Sequence, residues 1–375
     1  MRAQKLLSLS LLLLFFIPGV FFLLKGGLGN FPLPSPEDFW GSFAAQEAEA
    51  VLEESFPGRD QLSRMAASLQ TALGRNQQNG CFYSADGILQ NLPDADEKIT
   101  SENLEALQNY ADSSSAPCYF LLSPTSAAIE QNKIPSLALD SLFNQKQYIQ
   151  RCYSALSSRF RTIDGYNSLF SHQAEYLYYR TDSRLTALGC YYLYASAGEK
   201  LGYSARSIND FSISYPLHDY CGNLLPLAPY AQVKPDVVSL LFYQKHSREV
   251  RLVQEPLGAA AEKEMYDLDL LESTDPLQIY LGPDSGVTDL VAKSTPQDGR
   301  LLVFTDGSCN ALFPPMAIHY RQIRVVNLLF ATLSQLEQIH PEEFDQVLFV
   351  FSIDSFGYDS MVSYALGNHA SLHGS

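Results

Sequence analysis

Three short polar stretches, each closing an apolar run, hold the residues of this chain best suited to chemistry. They are Ser123–Ala127, Arg180–Arg184 and Thr305–Asn310. The last reads Thr305-Asp306-Gly307-Ser308-Cys309-Asn310. Ser308 is a candidate nucleophile for acyl transfer if a general base takes its proton. Cys309 is the stronger nucleophile, and a helix N-terminus can lower a thiol pKa there, although a buried structural cysteine is the commoner case. Asn310 can donate to an oxyanion or simply shape the turn. The backbone N–H groups of so small a turn can also hold an anion, against which the charge of the chain speaks. In Arg180–Arg184, Asp182 can orient a base, while the ordinary use of such an Asp is to cap the helix that follows. Arg184 is no base, because a guanidinium stays protonated. None of the seven histidines belongs to these turns. Only His218 and His319 adjoin the segments of interest, and folding can bring either inward. No HExxH, EF-hand loop or glycine-rich nucleotide fingerprint occurs, so neither a metal nor another cofactor is expected.

The elements that must position these turns follow from periodicity. Residues 44–74 have apolar positions at helical spacing, broken by Phe56–Asp60, where Pro and Gly mark a turn. Asn79–Leu92 alternates around Asp86–Gly87, a hairpin signal. Residues 98–112 suit an amphipathic helix, and Ala116–Ala127 suits a buried parallel strand entering a loop. Ala174–Gly202 reads as a strand, a polar turn at Arg180–Arg184, and a helix with Leu188, Tyr191, Tyr192 and Ala195 on its apolar side. Arg300–Tyr320 repeats that plan, and the runs QIRVVNLLF and QVLFVFSIDSF add two more strands. Strands alternating with helices predict an α/β fold with a mainly parallel sheet covered on both faces. Chemistry in such sheets sits at the carboxyl ends of the strands. Residues 207–295 are less regular and read as an insertion in which Leu240–Glu255 forms an antiparallel pair. Glu262–Asp275 reads as an acidic, solvated face. Tyr178, Tyr179, Tyr191, Tyr192 and Tyr194 are expected in the core rather than as a sugar-stacking platform.

The chain has 375 residues, of which 46% are hydrophobic and 18% charged, a globular composition. Its net charge of −16 repels phosphate backbones, which excludes nucleic acid as an expected partner. Leu6–Leu24 is a run of 19 residues without a charge, with Arg2 and Lys5 before it and Lys25 after it. That length suffices to cross a bilayer as a helix. The basic residues favour a cytoplasmic N-terminus. No A-x-A site follows, so an uncleaved anchor over residues 1–25 is expected ahead of a cleaved signal peptide. Residues 26–43 read as a Gly/Pro-rich tether, and residues 44–375 as an extracytoplasmic body. Six cysteines without a CxxC spacing are expected as buried free thiols.

Several segments together resemble the DHHW protein family, SGNH-hydrolase-like proteins related to alginate O-acetyltransferases. They are FPGRD, NGCFYSADGIL, YFLLSPTSAAIEQNKIP, YYRTDSRLTALGCYYLY, the KPD at Lys234–Asp236, IYLGPDSG and LLVFTDGSCNALFPPMAIHYRQIRVVNL. The resemblance implies a membrane-anchored, single-pass protein with a three-layer α/β/α body outside the cytoplasm. It further implies acetyl transfer to a cell-surface polysaccharide by an Asp, a His and a Ser, with a membrane-bound acyltransferase as partner. The family's YYRTDHHWT stands here as YYRTDSRLT, so Asp182 remains while Ser183 and Arg184 replace the histidines. The family's KDSYGN stands here as Thr305–Asn310, which puts Gly307 in the nucleophile slot. Asp182, Ser308 and Asn310 are the expected remnant of the site. The leading expectation is a catalytically inactive homologue that binds or scaffolds in polysaccharide modification. Two rivals remain: an O-acetyltransferase or acetyl esterase rebuilt on Ser308 or Cys309, and a purely structural envelope protein.

Overall fold

A strand whose residues are apolar without alternation must be covered on both faces, because successive side chains point to opposite sides. Several runs of this chain meet that description. The computed structural model describes residues 59–73, 77–139, 142–229, 233–243, 252–256, 263–282, 286–292 and 298–373. The expected anchor (1–25), the tether (26–43) and the FPGRD turn up to residue 58 lie outside the described residues. Among the described residues no helix is long and apolar enough to cross a membrane. Helix α1 (Arg59–Ala72) belongs to a unit of its own, and residues 76–375 form the body.

The body begins with a small antiparallel sheet of β1 (Gln77–Gln78), β2 (Cys81–Tyr83) and β3 (Ile88–Gln90). As expected, Asp86–Gly87 turns β2 into β3, with Tyr83 opposite Ile88. The Ser84 hydroxyl oxygen closes the turn by accepting from the Gly87 N–H at 3.0 Å. Helix α2 (Glu97–Ser113) starts at Asp96, whose carboxylate accepts from the amides of Lys98 and Ile99. Then come β4 (Cys118–Ser123), α3 (Gln145–Leu156), β5 (Phe160–Thr162), α4 (Gly165–Ser171) and α5 (Ala187–Leu201). A long antiparallel pair follows, β6 (Phe211–Tyr220) with β7 (Asp236–Tyr243). The remaining elements are β8 (Leu252–Pro256), β9 (Lys263–Glu264), β10 (Val287–Ala292), β11 (Arg300–Thr305), β12 (Gln322–Asn327), β13 (Gln346–Ser352) and α6 (Met361–His373).

The main sheet has the order β5-β4-β13-β11-β12-β10-β8-β9. Its first five strands run parallel, and β10, β8 and β9 continue it antiparallel. The fold is thus mixed α/β with a mainly parallel sheet. Every residue of β4 is buried, and in β11 only Arg300 is not. Phe304 of β11 and Phe349 of β13 stack at 5.1 Å between ring centroids. Tyr110 of α2 meets both edge-on, at 5.5 and 5.2 Å. Such aromatic clusters contribute about 1 kcal/mol per pair beyond area burial. They fix α2 on one face of the sheet and hold β11 and β13 in register.

Two expectations fail here. Residues 174–179 do not form a strand of the sheet; a single bridge, Tyr178 to Leu185, is all the ladder they make. Their tyrosines suit a strand, but the following N–H groups of Arg180 and Thr181 go to the buried Asp236 carboxylate, at 2.7 and 2.9 Å. Leu240–Glu255 supplies two strand segments that do not pair with each other. β7 takes the ten-residue β6 as partner, and β8 takes the open edge of β10, whose unpaired backbone groups are a ready template.

Candidate functional site

β12, β11 and β13 are adjacent and parallel, so their carboxyl ends open onto one region. Asn327 ends β12, Asp306 to Ser308 follow β11, and Ser352, Asp354 and Ser355 close β13. All of these line a cleft of about 690 Å³, and Arg184, Tyr220 and Asp275 line its other side. Asp182 lies beneath that side, fully buried.

Asp236 builds the Asp182 turn. Besides the two backbone N–H groups, its carboxylate accepts from the hydroxyls of Thr181 and Tyr176. One side chain from β7 therefore holds the turn in place of a strand ladder. Gly222 allows the neighbouring loop to come in, since a Cβ there would lie 2.3 Å from Asp182 Cβ. The loop then donates the Asn223 N–H to Asp182 Oδ2 at 3.1 Å.

Asp182 does not cap the helix. That role falls to Thr186, whose hydroxyl accepts from the Gly189 N–H at the start of α5. Asp182 instead receives the Arg184 N–H at 2.9 Å and Arg184 Nε at 2.8 Å on Oδ1. Arg184 Nη2 reaches its Oδ2 at 3.0 Å, and the Tyr220 hydroxyl donates to the same oxygen at 2.6 Å. The guanidinium also grips Asp275 with two parallel bonds of 2.7 and 2.9 Å, the fork geometry that arginine favours with carboxylates. Burial alone would raise the Asp182 pKa, but Arg184 and Tyr220 outweigh it and hold the carboxyl below its ordinary value. Burial likewise opposes the charge of Arg184, and the two carboxylates overcome it, holding the guanidinium above its ordinary pKa. Arg184 is thus a fixed cation, with no proton to exchange.

Across the cleft, Asp306 gathers the other half. Its Oδ1 accepts from the Ser308 N–H at 2.9 Å and the Ser308 hydroxyl at 2.6 Å. Its Oδ2 accepts from the Ser352 N–H at 2.7 Å, the Ser352 hydroxyl at 2.6 Å and the Ser355 hydroxyl. Ser308 thus shares this carboxylate with four other donors, two backbone N–H groups and the hydroxyls of Ser352 and Ser355. Gly307 has φ +81°, the left-handed region, and a Cβ there would come within 2.8 Å of Asn327 Nδ2. The turn does not present free N–H groups to an anion at Gly307 or Ser308, because Thr305 Oγ1 and Asp306 accept them. Asn310 lines the cleft, and its Oδ1 has no hydrogen-bond partner. Cys309 is buried beside Cys190 of α5, whose thiol pKa is pushed up by burial and by Cys309. Burial also raises the Asp354 carboxyl, and the Asp306 charge adds to it.

Ser308 and Asn310 thus line one cleft with Asp182 buried beneath its far side, but no histidine base joins them. Among the described residues no histidine lines it. His218 is exposed on β6. His319 bonds the Tyr194 hydroxyl at 2.7 Å and stacks on Tyr203, and burial with the Arg206 charge lowers its pKa to about 4. Four of the five tyrosines read as core are buried, and Tyr192 is partly so. Sequence reasoning missed Tyr220, Asp275, Asn327, Ser352, Asp354 and Ser355. The last three follow an apolar strand, and their position at its carboxyl end was the available signal. Among the described residues no group of three or more His, Cys, Asp or Glu is placed to hold a metal. Cys81, Cys118, Cys152, Cys190 and Cys309 are buried free thiols, and Cys221 is exposed.

Comparison with known proteins gives a consistent picture. The family model described as DHHW protein matches residues 94–326. No curated protein matches the chain. A crystal structure of a DHHW family protein from Eubacterium siraeum DSM 15702 superposes with a TM-score of 0.63 at 16% identity, covering 78% of this chain and 96% of that one. Bacillus cereus PatB1 superposes with a TM-score of 0.57 at 14% identity, covering 75% and 98%. A second PatB1 structure, with a sulfonyl adduct, gives 0.57 at 15% identity, covering 75% and 97%. At these identities the likeness is one of fold.

Proposed function

This chain belongs to the DHHW protein family, and on that premise we propose that it is a three-layer SGNH-like member without acetyl-transfer chemistry, using its cleft to bind a cell-surface polysaccharide. One observation carries the reading. Arg184 stands where the family has a histidine, and it is locked between Asp182 and Asp275 by four hydrogen bonds from its guanidinium. A general base must accept a proton near neutral pH, and this group cannot. The nucleophile slot supports the same conclusion, since Gly307 offers no side chain at all. The cleft itself remains, with a floor of hydroxyls and amides suited to hydrogen-bonding sugar hydroxyls. The reading further places the body outside the cytoplasm, tethered by residues 1–25, where it scaffolds polysaccharide O-acetylation alongside a membrane-bound acyltransferase.

The rival reading makes Ser308 a rebuilt nucleophile, and its 2.6 Å contact with Asp306 speaks for it. The four other donors that share the Asp306 carboxylate speak against it. Hydrolysis of p-nitrophenyl acetate by the purified protein decides between them. Turnover no higher than that of the S308A/C309A double variant supports a binding protein. Turnover that exceeds the double variant overturns it in favour of an esterase or acetyltransferase.

A further inference from the structure

The charge of the cleft says more about its ligand. Four carboxylates line it, Asp275, Asp306, Asp354 and Asp359, and Arg184 is the one cation among the described lining residues. That cation is already neutralised by Asp275 and by the buried Asp182 beneath it. An incoming carboxylate or phosphate would have to break this bridge to find a counter-charge. Among the described residues, the hydrogen-bond partners of the remaining carboxylates are neutral. Asp306 is held by serine hydroxyls and backbone N–H groups, Asp354 accepts from the Gln90 amide at 3.1 Å, and Asp359 from the Met361 N–H at 2.8 Å. These acids are not grouped so as to chelate a metal ion. At the rim, Leu329 and Phe330 are 51% and 44% exposed and offer an apolar surface to the C–H face of a sugar ring.

We propose that this cleft selects a glycan bearing free amino groups, such as a de-N-acetylated amino sugar, over a neutral or uronic-acid polymer. The inference rests on the glycan-binding reading above. An ammonium group entering the cleft meets Asp306, Asp354 and Asp359 without displacing any ion pair, whereas a uronate meets the same three charges as repulsion.

The test titrates the full-length protein with three oligosaccharides of equal length: oligoglucosamine, its fully N-acetylated form and an oligouronate. Oligoglucosamine should bind tightest and the oligouronate weakest. Asp354→Asn and Asp359→Asn should each reduce the preference for oligoglucosamine by up to about fivefold, the range of a partly exposed ion pair. Binding of the N-acetylated form should not change. Because the whole protein is acidic, Glu102→Gln on α2 serves as the control and should leave the preference unchanged. Equal binding of the amino and N-acetylated forms, tightest binding of the oligouronate, or a Glu102→Gln effect as large as the others overturns the proposal while glycan binding stands. Binding of none of the three overturns both.

Discussion

Replacing Arg184 by methionine keeps most of the side-chain volume and removes the charge that Asp182 depends on. In the variant Asp182 keeps the Arg184 N–H, the Tyr220 hydroxyl and the Asn223 N–H. It loses the one cation that pairs with it among the described residues while remaining fully buried. Removing one partner of a buried ion pair costs about 3–5 kcal/mol, and the three surviving donors place this case near ~3 kcal/mol. The Asp275 arm adds little, since that side chain is 36% exposed and its pairing is screened. For a body of this size, ~3 kcal/mol corresponds to a fall in Tm of roughly 6–12 °C, readable by calorimetry at pH 7. The pH dependence has a definite sign. In the parent protein the Asp182 pKa is held below its unfolded value of about 3.9, so its contribution is present above that pH and is lost as pH falls through the folded value. In R184M, burial without the cation pushes the folded pKa above the unfolded one. The penalty is then full at neutral pH and shrinks as the carboxyl protonates, so the two stabilities converge toward pH ~4. A Tm within about 2 °C of the parent at pH 7, or a gap that widens on acidification, would refute the argument.

Asp236→Asn replaces an oxygen that accepts backbone N–H groups with a competing donor, and should destabilise by about 2–3 kcal/mol in urea unfolding. Gly307→Ser places a Cβ at φ +81° and against Asn327, which should cost about 1–2 kcal/mol. That variant should hydrolyse p-nitrophenyl acetate no faster than the parent, because no histidine among the described residues lines the cleft to take its proton. His319, lowered to about 4 by burial and Arg206, is held neutral in the fold. Its contribution is present above the unfolded pKa of about 6.5 and declines as pH falls toward 4. His319→Gln should therefore flatten the acid side of the stability profile between those limits, measured by thermal unfolding at a series of pH values.

The sheet was legible because its strands announce themselves by local pattern. Cys118–Ser123, Arg300–Thr305 and Gln346–Ser352 are apolar runs too uniform for a one-sided strand, and each ends in a polar turn. The hairpin at Asp86–Gly87 and the Thr305–Asn310 turn were equally local. The site was legible only in half. Asp182 and Ser308 stood out by their neighbours in sequence, but Asp275 is 91 residues from Arg184 and sits in an acidic stretch that resembles a solvated face. Tyr220 and Asp236 act on the turn from another sheet, so no local spacing reveals them. The same long-range carboxylate explains why residues 174–179, rich in strand-forming tyrosines, are not a strand. Helix capping failed for a related reason: Asp182 has the right chemistry, yet its tertiary partners outbid the helix, and Thr186 caps instead.

The central claim is that the cleft lacks an activated nucleophile, and a covalent probe tests it most directly. PatB1, which shares the fold, has been captured with a sulfonyl adduct. Incubating this protein with an arylsulfonyl fluoride and measuring its intact mass, followed by peptide mapping, reads out any such group without assuming a substrate. The account predicts no sulfonyl adduct in the cleft under conditions that label PatB1 fully. Stoichiometric sulfonylation at Ser308 or Cys309 would contradict it and make the cleft an active site.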